Sequence, residues 1–222
     1  MPTFLSVLTL ACALAGSINA QLVNLGSALP FAVLGGSAVT NAGPTVLVGS
    51  LGVSPGSSIT GSRTVVDGTV HAADAVASQA QLDVTTAYND AASRRATPLV
   101  GDLGGRTLEP GAYSFTSSAF LTGTLFLDAQ GNPDSVWVFQ TGSTLITAST
   151  STVAVINGGV ACNVFWQVGS SATLGTGTTF VGNILALQSI TVRTGATNNG
   201  GLYARKGAVT LDNNAITHQL CP

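Results

Sequence analysis

The sequence is poor in charged residues. It has 7 Lys and Arg and 9 Asp and Glu among 222 residues, or 7%, against roughly 25% in an ordinary soluble domain. The formal net charge of −2 supplies neither a basic footprint for nucleic acid nor a polybasic patch for anionic lipid. We therefore expect neither partner, and the polar surface must be made by uncharged side chains.

Residues that carry catalysis or bind metals are scarce and scattered. Neither His71 nor His218 has a Cys, Asp or Glu at a spacing typical of metal sites. The segment Gly52–Gly56 matches the nucleophile motif G-x-S-x-G, but Pro55 has no N–H to offer an oxyanion, so we interpret it as a turn. The sequence predicts a protein that is not an enzyme, with no cofactor and no metal.

Long apolar runs are absent except at the N-terminus. Residues 1–20 contain one apolar run that begins at Leu5, and Ala20 followed by Gln21 is an acceptable cleavage site. This predicts a secretory signal peptide over 1–20, and a secreted, extracellular single domain over 21–222 without membrane contact.

Cysteine is equally rare, because loss of the signal leaves only Cys162 and Cys221. Two cysteines in a secreted chain suggest one disulfide. Three stacked coils would hold them roughly 14 Å apart, beyond the ~7 Å that a bridge spans. Either the tail folds back or both thiols stay free.

What the chain does contain favours strands and tight turns. Glycine occurs 27 times and 45% of residues are hydrophobic, while short Val, Ile, Leu, Phe and Thr runs alternate with Gly, Asn and Ser. One helix is predicted between Asp74 and Ala92, ended by Pro98. An apolar stripe marks it, formed by Val76, Ala80, Val84, Ala87, Tyr88 and Ala91.

The last third repeats itself. Thr173-Leu174, Thr191-Val192 and Thr210-Leu211 follow one another at steps of 18 and 19 residues, and Thr144-Leu145 is interpreted as an earlier copy. Such a repeat suits one coil of a three-sided β-solenoid, whose coils stack about 4.8 Å apart. We expect Leu145, Leu174, Val192 and Leu211 to point inward and Thr144, Thr173, Thr191 and Thr210 to point outward.

A second threonine pattern crosses the same coils. Pairs three residues apart, each spanning Gly or Ala, are Thr147 and Thr150, Thr176 and Thr179, and Thr194 and Thr197. Residues 135–192 contain no charge at all. This combination favours a neutral, threonine-rich surface with a dedicated role over β-propensity alone.

Several longer strings carry a family resemblance. They are Gly49–Gly56, Val136–Gln140, Cys162–Gly169, Gly182–Leu187 and Gly207–Asp212. With the Ala-rich helix, they resemble the secreted microbial ice-binding (antifreeze) protein family over essentially all of 21–222. The resemblance implies a right-handed, discontinuous parallel β-helix of triangular section, with one long α-helix packed alongside.

The same resemblance implies adsorption to the surface of ice crystals, with thermal hysteresis and inhibition of ice recrystallisation. The three Thr-[Gly/Ala]-x-Thr pairs resemble an ice-binding motif of that family, and Thr144, Thr173, Thr191 and Thr210 form the alternative row. We expect a monomer. The alternative function is a secreted carbohydrate-active or adhesive β-helix, which lacks support from any cluster of acidic residues.

Overall fold

The computed structural model describes residues 21–218, so the signal peptide predicted over 1–20 and Cys221 lie outside the described residues. The described chain forms three parallel β-sheets and one α-helix. Each coil contributes one strand to each sheet in turn. The predicted fold class, a discontinuous parallel β-helix of three sides with a helix alongside, is confirmed.

The strands are numbered in chain order, but they lie within each sheet in a different spatial order. From one end to the other, sheet A contains β7 (Val70–Ala72), β4 (Ser50–Val53), β1 (Phe31–Gly35), β22 (Leu202–Ala204), β19 (Asn183–Ala186), β16 (Val164–Val168), β13 (Trp137–Thr141), β10 (Gly111–Phe115) and β8 (Thr97–Pro98). Sheet B contains β11 (Ala119–Leu121), β14 (Leu145–Thr147), β17 (Ala172–Leu174), β20 (Ile190–Val192), β23 (Val209–Asp212), β2 (Ala38–Ala42) and β5 (Ser58–Thr60). Sheet C contains β6 (Arg63–Val66), β3 (Thr45–Val48), β24 (Ala215–Thr217), β21 (Thr197–Asn199), β18 (Thr179–Val181), β15 (Thr152–Ile156), β12 (Thr124–Asp128) and β9 (Thr107–Leu108).

The coils are not stacked in chain order. The first two coils, β1 to β7, form one end of the solenoid, and α1 then carries the chain towards the other end, where β8 begins. The remaining coils stack back until β22 pairs with β1, with Val33 opposite Leu202. The N-terminal and C-terminal coils therefore meet inside the solenoid, which makes the β-helix discontinuous.

Helix α1 spans Ala75–Ser93, within one residue of the predicted ends. Asp74 caps its N-terminus by accepting a hydrogen bond from the Ala77 N–H. The predicted stripe is buried with one exception, Val76, which is 49% exposed. Ala77 is buried instead, because the contact face turns towards sheet A between these two neighbours. Two short 3-10 helices, Gly26–Ala28 and Ala161–Asn163, complete the helical elements.

Aromatic side chains run through the interior of the solenoid. Phe139 stacks on Trp166 with ring centroids 4.0 Å apart, and Trp166 contacts Phe180 at 5.0 Å. Both tryptophans are fully buried. This packing joins successive coils, so each coil is held by its neighbours as well as by strand pairing.

The predicted register is confirmed for the last coils and wrong for the earlier one. Thr173 pairs with Thr191, and Thr191 with Thr210. Opposite Thr173, however, lies Ile146 rather than Thr144, and Leu145 faces Ala172 rather than Leu174. The earlier coil is thus displaced by two residues, because matching the dipeptide Thr-Leu ignored the extra chain around the second 3-10 helix.

Candidate functional site

The outer face of sheet B presents one continuous row of side chains, one from each strand. Five consecutive strands place threonine in it. In spatial order, the row contains Phe120, Ile146, Thr173, Thr191, Thr210, Thr40 and Thr60. We call this row, together with the side row described next, the threonine face. At about 4.8 Å per strand, the five threonines span about 19 Å.

A side row of hydroxyl groups lies beside the main row. Ser118 and Thr144 share a hydrogen bond of 2.7 Å between their hydroxyl oxygens. Ser171 accepts a hydrogen bond from the Ser189 N–H at 3.3 Å. Thr144, predicted for the main row, therefore lies in the side row, two residues away from its expected position.

Thr40 and Thr60 were missed by the sequence analysis. They lie in the N-terminal coils, which join the threonine row only because β2 pairs with β23. The Thr40 hydroxyl donates to Thr210 Oγ1 at 3.3 Å, a contact between residues 170 positions apart in the chain. A search for a 20-residue step within the first coils could have found the pair, but not its place beside Thr210.

The Thr-[Gly/Ala]-x-Thr pairs do not form a single surface. Thr176 and Thr194 are exposed at the corner between sheets B and C, whereas Thr179 and Thr197 pair with each other on the outer face of sheet C. The fourth partner in that sheet is Thr152 rather than Thr150. The motif therefore crosses a corner of the solenoid.

The predicted pair Thr147 and Thr150 does not match the other two pairs. Thr147 is 3% exposed, and its hydroxyl bonds to Thr178 Oγ1 and accepts from the Gly175 N–H, both at 2.9 Å. It points inward because its coil is shifted by two residues. Thr150 occupies the turn at φ 58°, where the neighbouring coils have Gly177 and Gly195.

The outer face of sheet C is neutral but less uniform. Its first row begins with four aligned threonines. The full row is Thr124, Thr152, Thr179, Thr197, Ala215, Val46 and Thr64. The next row mixes large and small side chains, among them the exposed Phe126 and Val66. Sheet C therefore carries one hydroxyl row and one mainly apolar row.

Comparison with known proteins shows where this geometry recurs. The family model described as Ice-binding-like matches residues 33–217, which covers nearly the whole solenoid. The chain belongs to the ice-binding-like family. An "Ice-binding protein" of Nostoc sp. (strain HG1) is 56% identical over 203 residues, covering 90% of this chain and 75% of the relative. An "Ice-binding protein" of Colwellia sp is 35% identical, covering 87% of this chain and 83% of the relative.

Solved structures of this family show the same fold. The ice-binding protein of the Antarctic ascomycete Antarctomyces psychrotrophicus has a TM-score of 0.87 and 42% identity, covering 90% of this chain and all of that chain. An ice-binding protein from an Antarctic biological consortium has a TM-score of 0.84 and 44% identity, covering 98% and 95%. The resemblance seen in the sequence strings is thus confirmed over the described coils.

Charge is confined to the edges of the threonine face. Neither of its two rows contains a charged residue. Arg193 and Asp212 lie at the corner towards sheet C, where the Asp212 carboxylate accepts a hydrogen bond from the Thr194 hydroxyl. This family member therefore offers an uncharged central surface of hydroxyl and methyl groups.

Other polar groups have local structural roles. His71 does approach an acidic residue, since its Nδ1 lies 2.7 Å from Asp74 Oδ2, and its Nε2 lies 2.7 Å from the Thr69 hydroxyl. This contact fixes the turn before α1. Among residues 21–218, no three His, Cys, Asp or Glu side chains are grouped closely enough to hold a metal ion.

Two further findings concern the cysteine and the helix. Cys162 is buried and takes part in a disulfide, whereas Cys221 lies outside the described residues, so their pairing stays a prediction. Within the described chain, no helix combines the length and the hydropathy needed to span a bilayer.

Proposed function

We propose that the protein binds ice crystals through the threonine face, and that it thereby produces thermal hysteresis and inhibits ice recrystallisation. The observation that carries this proposal is the unbroken run of five aligned threonines in sheet B. Relatives that share the fold are named ice-binding proteins. The protein acts by adsorption rather than by catalysis.

The chemistry of threonine suits a neutral lattice of water molecules. Its methyl group orders neighbouring water, and its hydroxyl group can donate to and accept from that water. A charged side chain would instead keep its own strongly held hydration shell. A surface without charge therefore releases or reorganises its first water layer at low cost when it meets ice.

Rigidity adds to this match. The threonine side chains are fixed on short strands that pair on both sides, apart from the two edge strands, so their spacing along the solenoid is set by the backbone. Little conformational entropy is lost on adsorption because the groups are already ordered. Many weak contacts then act together, and bound molecules force the advancing ice front to curve between them, which lowers its local freezing temperature.

The threonine face is a better candidate than sheet C or the corner. It combines five threonines with a parallel row of hydroxyl groups, whereas the second row of sheet C mixes Phe126 with Ala154 and Val181. The corner threonine Thr194 is bonded to the Asp212 carboxylate, which brings charge to that edge. The surface of sheet B is thus the more regular of the two.

A matched pair of variants tests the choice of face. Thr191→Asp places a charge in the middle of the threonine face, and Thr197→Asp places the same charge on sheet C in the same coil. We expect Thr191→Asp to lose most of the thermal hysteresis and recrystallisation inhibition, and Thr197→Asp to keep most of both. Circular dichroism of each variant checks that the fold is unchanged.

The possible outcomes separate the proposals. If only Thr197→Asp loses activity, ice binds to sheet C and the chosen face is wrong. If the unaltered protein leaves ice growth and coarsening as they are in buffer, ice binding itself is wrong. Binding to a polysaccharide or a cell wall without effect on ice would then support the carbohydrate-active or adhesive alternative.

We further propose that the protein is secreted after removal of residues 1–20. The support is the apolar segment that begins at Leu5 and the small residue Ala20 before Gln21. Mass spectrometry of the protein recovered from culture medium should give the mass of residues 21–222. Recovery of the intact chain inside cells would contradict this.

A further inference from the structure

The two ends of the solenoid differ in how their strand edges are covered. At the end that begins with β8, the loop between β8 and β9 lies over the core. Leu103 in this loop is fully buried, and its N–H donates to the Phe120 carbonyl at 2.8 Å. The Asp102 carboxylate accepts hydrogen bonds from the N–H groups of Gly104 and Thr122 at 2.6 and 2.8 Å. This end is capped by the chain itself.

The other end is open among the described residues. It is formed by β5, β6 and β7, and no described strand pairs with their outer edges. The inward side chains Ile59 and Val65 are only half-buried, whereas Val39 and Leu47, one coil further in, are fully buried. The apolar interior thus reaches solvent at this end.

The backbone of this end is also available for pairing. The Gly49 N–H donates to the Val66 carbonyl at 2.8 Å, so the peptide groups of Val66 face the inner neighbour β3. Those of Val65, which alternate with them, therefore face outward. Solenoids need capped ends, and a free strand edge readily pairs with another chain.

The remaining parts of the chain are poorly placed to cover this end. The Gln21 carbonyl accepts a hydrogen bond from Arg94, just after the C-terminal end of α1, which lies towards the capped end of the solenoid. Only four residues follow His218. They span at most about 14 Å, too little to pair with all three edge strands.

We propose that the open end binds a second copy of this chain, end to end, with a two-fold axis through Val65. The edge coil is symmetric about this residue, since Ile59 and His71 lie six positions before and after it. One antiparallel register therefore pairs all three strands at once: β6 with the partner's β6, and β5 with the partner's β7. In this register Val65 meets the partner's Val65 and closes the apolar interior.

Charge complementarity supports this register. Arg63 and Asp67 are the only Lys, Arg, Asp or Glu residues between positions 58 and 72. Two positions on either side of Val65, they place Arg63 opposite the partner's Asp67, and the two-fold axis creates this ion pair twice. The contact is small, so we expect a weak dimer that forms on the order of 100 µM. It leaves the outer surface of sheet B uncovered.

The test measures the mass of the purified protein in solution, without ice. In sedimentation velocity from about 10 µM to 1 mM, the weight-average mass should rise towards twice the monomer mass. Arg63→Asp, which opposes two carboxylates twice, should abolish this rise. The double variant Arg63→Asp/Asp67→Arg restores opposite charges and should recover it, and Val65→Lys should be monomeric throughout.

Three results would overturn the proposal. They are a monomer at every concentration, a dimer that persists in both Arg63→Asp and Val65→Lys, and a double variant that does not recover association. Self-association that appears only after removal of residues 219–222 would show that the tail covers this end instead. None of these results depends on ice activity, so the dimer and the ice-binding proposal can fail separately.

Discussion

Individual threonines in this chain have different structural roles despite their similar sequence contexts. Thr191 is one member of an outward row, Thr147 is a buried hydrogen-bonding group, and Thr150 adopts a left-handed turn conformation. The sequence analysis grouped Thr147 and Thr150 with surface threonines because spacing alone does not report register. A one-coil shift of two residues leaves the alternation intact but moves each residue to a different structural position.

The buried hydroxyl of Thr147 provides a test of stability. In Thr147→Val, the Gly175 N–H loses its acceptor while remaining buried, and we expect the free energy of unfolding to fall by about 1–3 kcal/mol. Urea denaturation measures this change. Thr152→Val, an isosteric change on the outer face of sheet C, serves as control and should stay within about 0.5 kcal/mol of the parent. Equal stability of both variants would contradict the role assigned to Thr147.

The conformation of Thr150 predicts a stabilising substitution. Its φ of 58° matches Gly177 at 66° and Gly195 at 71° in the next two coils, and a β-branched residue is strained there. Thr150→Gly should raise the free energy of unfolding by up to about 1 kcal/mol, as measured by urea denaturation.

The reverse change is the matched control. A Cβ on Gly177 would meet only Thr150 Cγ2, at 3.6 Å, so Gly177→Ala alters conformation without a clash and should destabilise by about the same amount. If Thr150→Gly destabilises the protein, backbone strain at this turn is not the controlling factor.

At the scale of elements, the long helix is anchored to the N-terminal segment as well as to sheet A. The Asp83 carboxylate accepts hydrogen bonds from the Ser27 N–H and the Ser27 hydroxyl, both at 2.7 Å. The sequence predicted the helix because its apolar stripe and its stop signal are local. It could not predict this anchor, since the two residues are 56 positions apart.

This anchor predicts a pH dependence of stability. The hydrogen bonds from Ser27 hold the pKa of Asp83 below its ordinary value of 3.8. Because a lowered pKa stabilises the folded state only while the carboxyl is ionised, the contribution is complete above about pH 4 and is lost as the pH falls through the folded pKa. Asp83→Asn should therefore lower the melting temperature at pH 7, and the gap to the parent should narrow by pH 3.

Ser27→Ala is the matched control for this prediction. It removes the hydroxyl donor and keeps the carboxyl, so it should reproduce part of the melting-temperature gap and the same narrowing at acid pH. A gap that is constant from pH 7 to pH 3 in both variants would show that Asp83 acts through packing and not through its charge.

At the scale of the whole molecule, the sequence predicts the architecture better than the functional surface. Repeats of 18 and 19 residues determine a three-sided solenoid, because each coil must bury its apolar side chains against the next. They do not show that β1 pairs with β22, since no local pattern joins Val33 to Leu202. The extent of the threonine face depends on that junction, and so Thr40 and Thr60 could not be placed beside Thr210.

The junction makes the length of the threonine row a property that can be altered. The row continues beyond Thr173 with Ile146 and Phe120, which are 37% and 46% exposed. Ile146→Thr/Phe120→Thr would extend five threonines to seven without changing the register. If adsorption depends on the number of aligned hydroxyl-bearing strands acting together, thermal hysteresis measured at equal concentration should increase.

The corresponding change on sheet C separates this explanation from a general effect of surface polarity. Phe126→Thr lies two strands from the same end and alters an equally exposed aromatic residue, 38% exposed, on the other face. It should leave thermal hysteresis unchanged. Should Ile146→Thr/Phe120→Thr lower the activity instead, the apolar side chains would themselves belong to the ice-binding surface, and methyl and ring contacts would then outweigh hydroxyl contacts at that end of the solenoid.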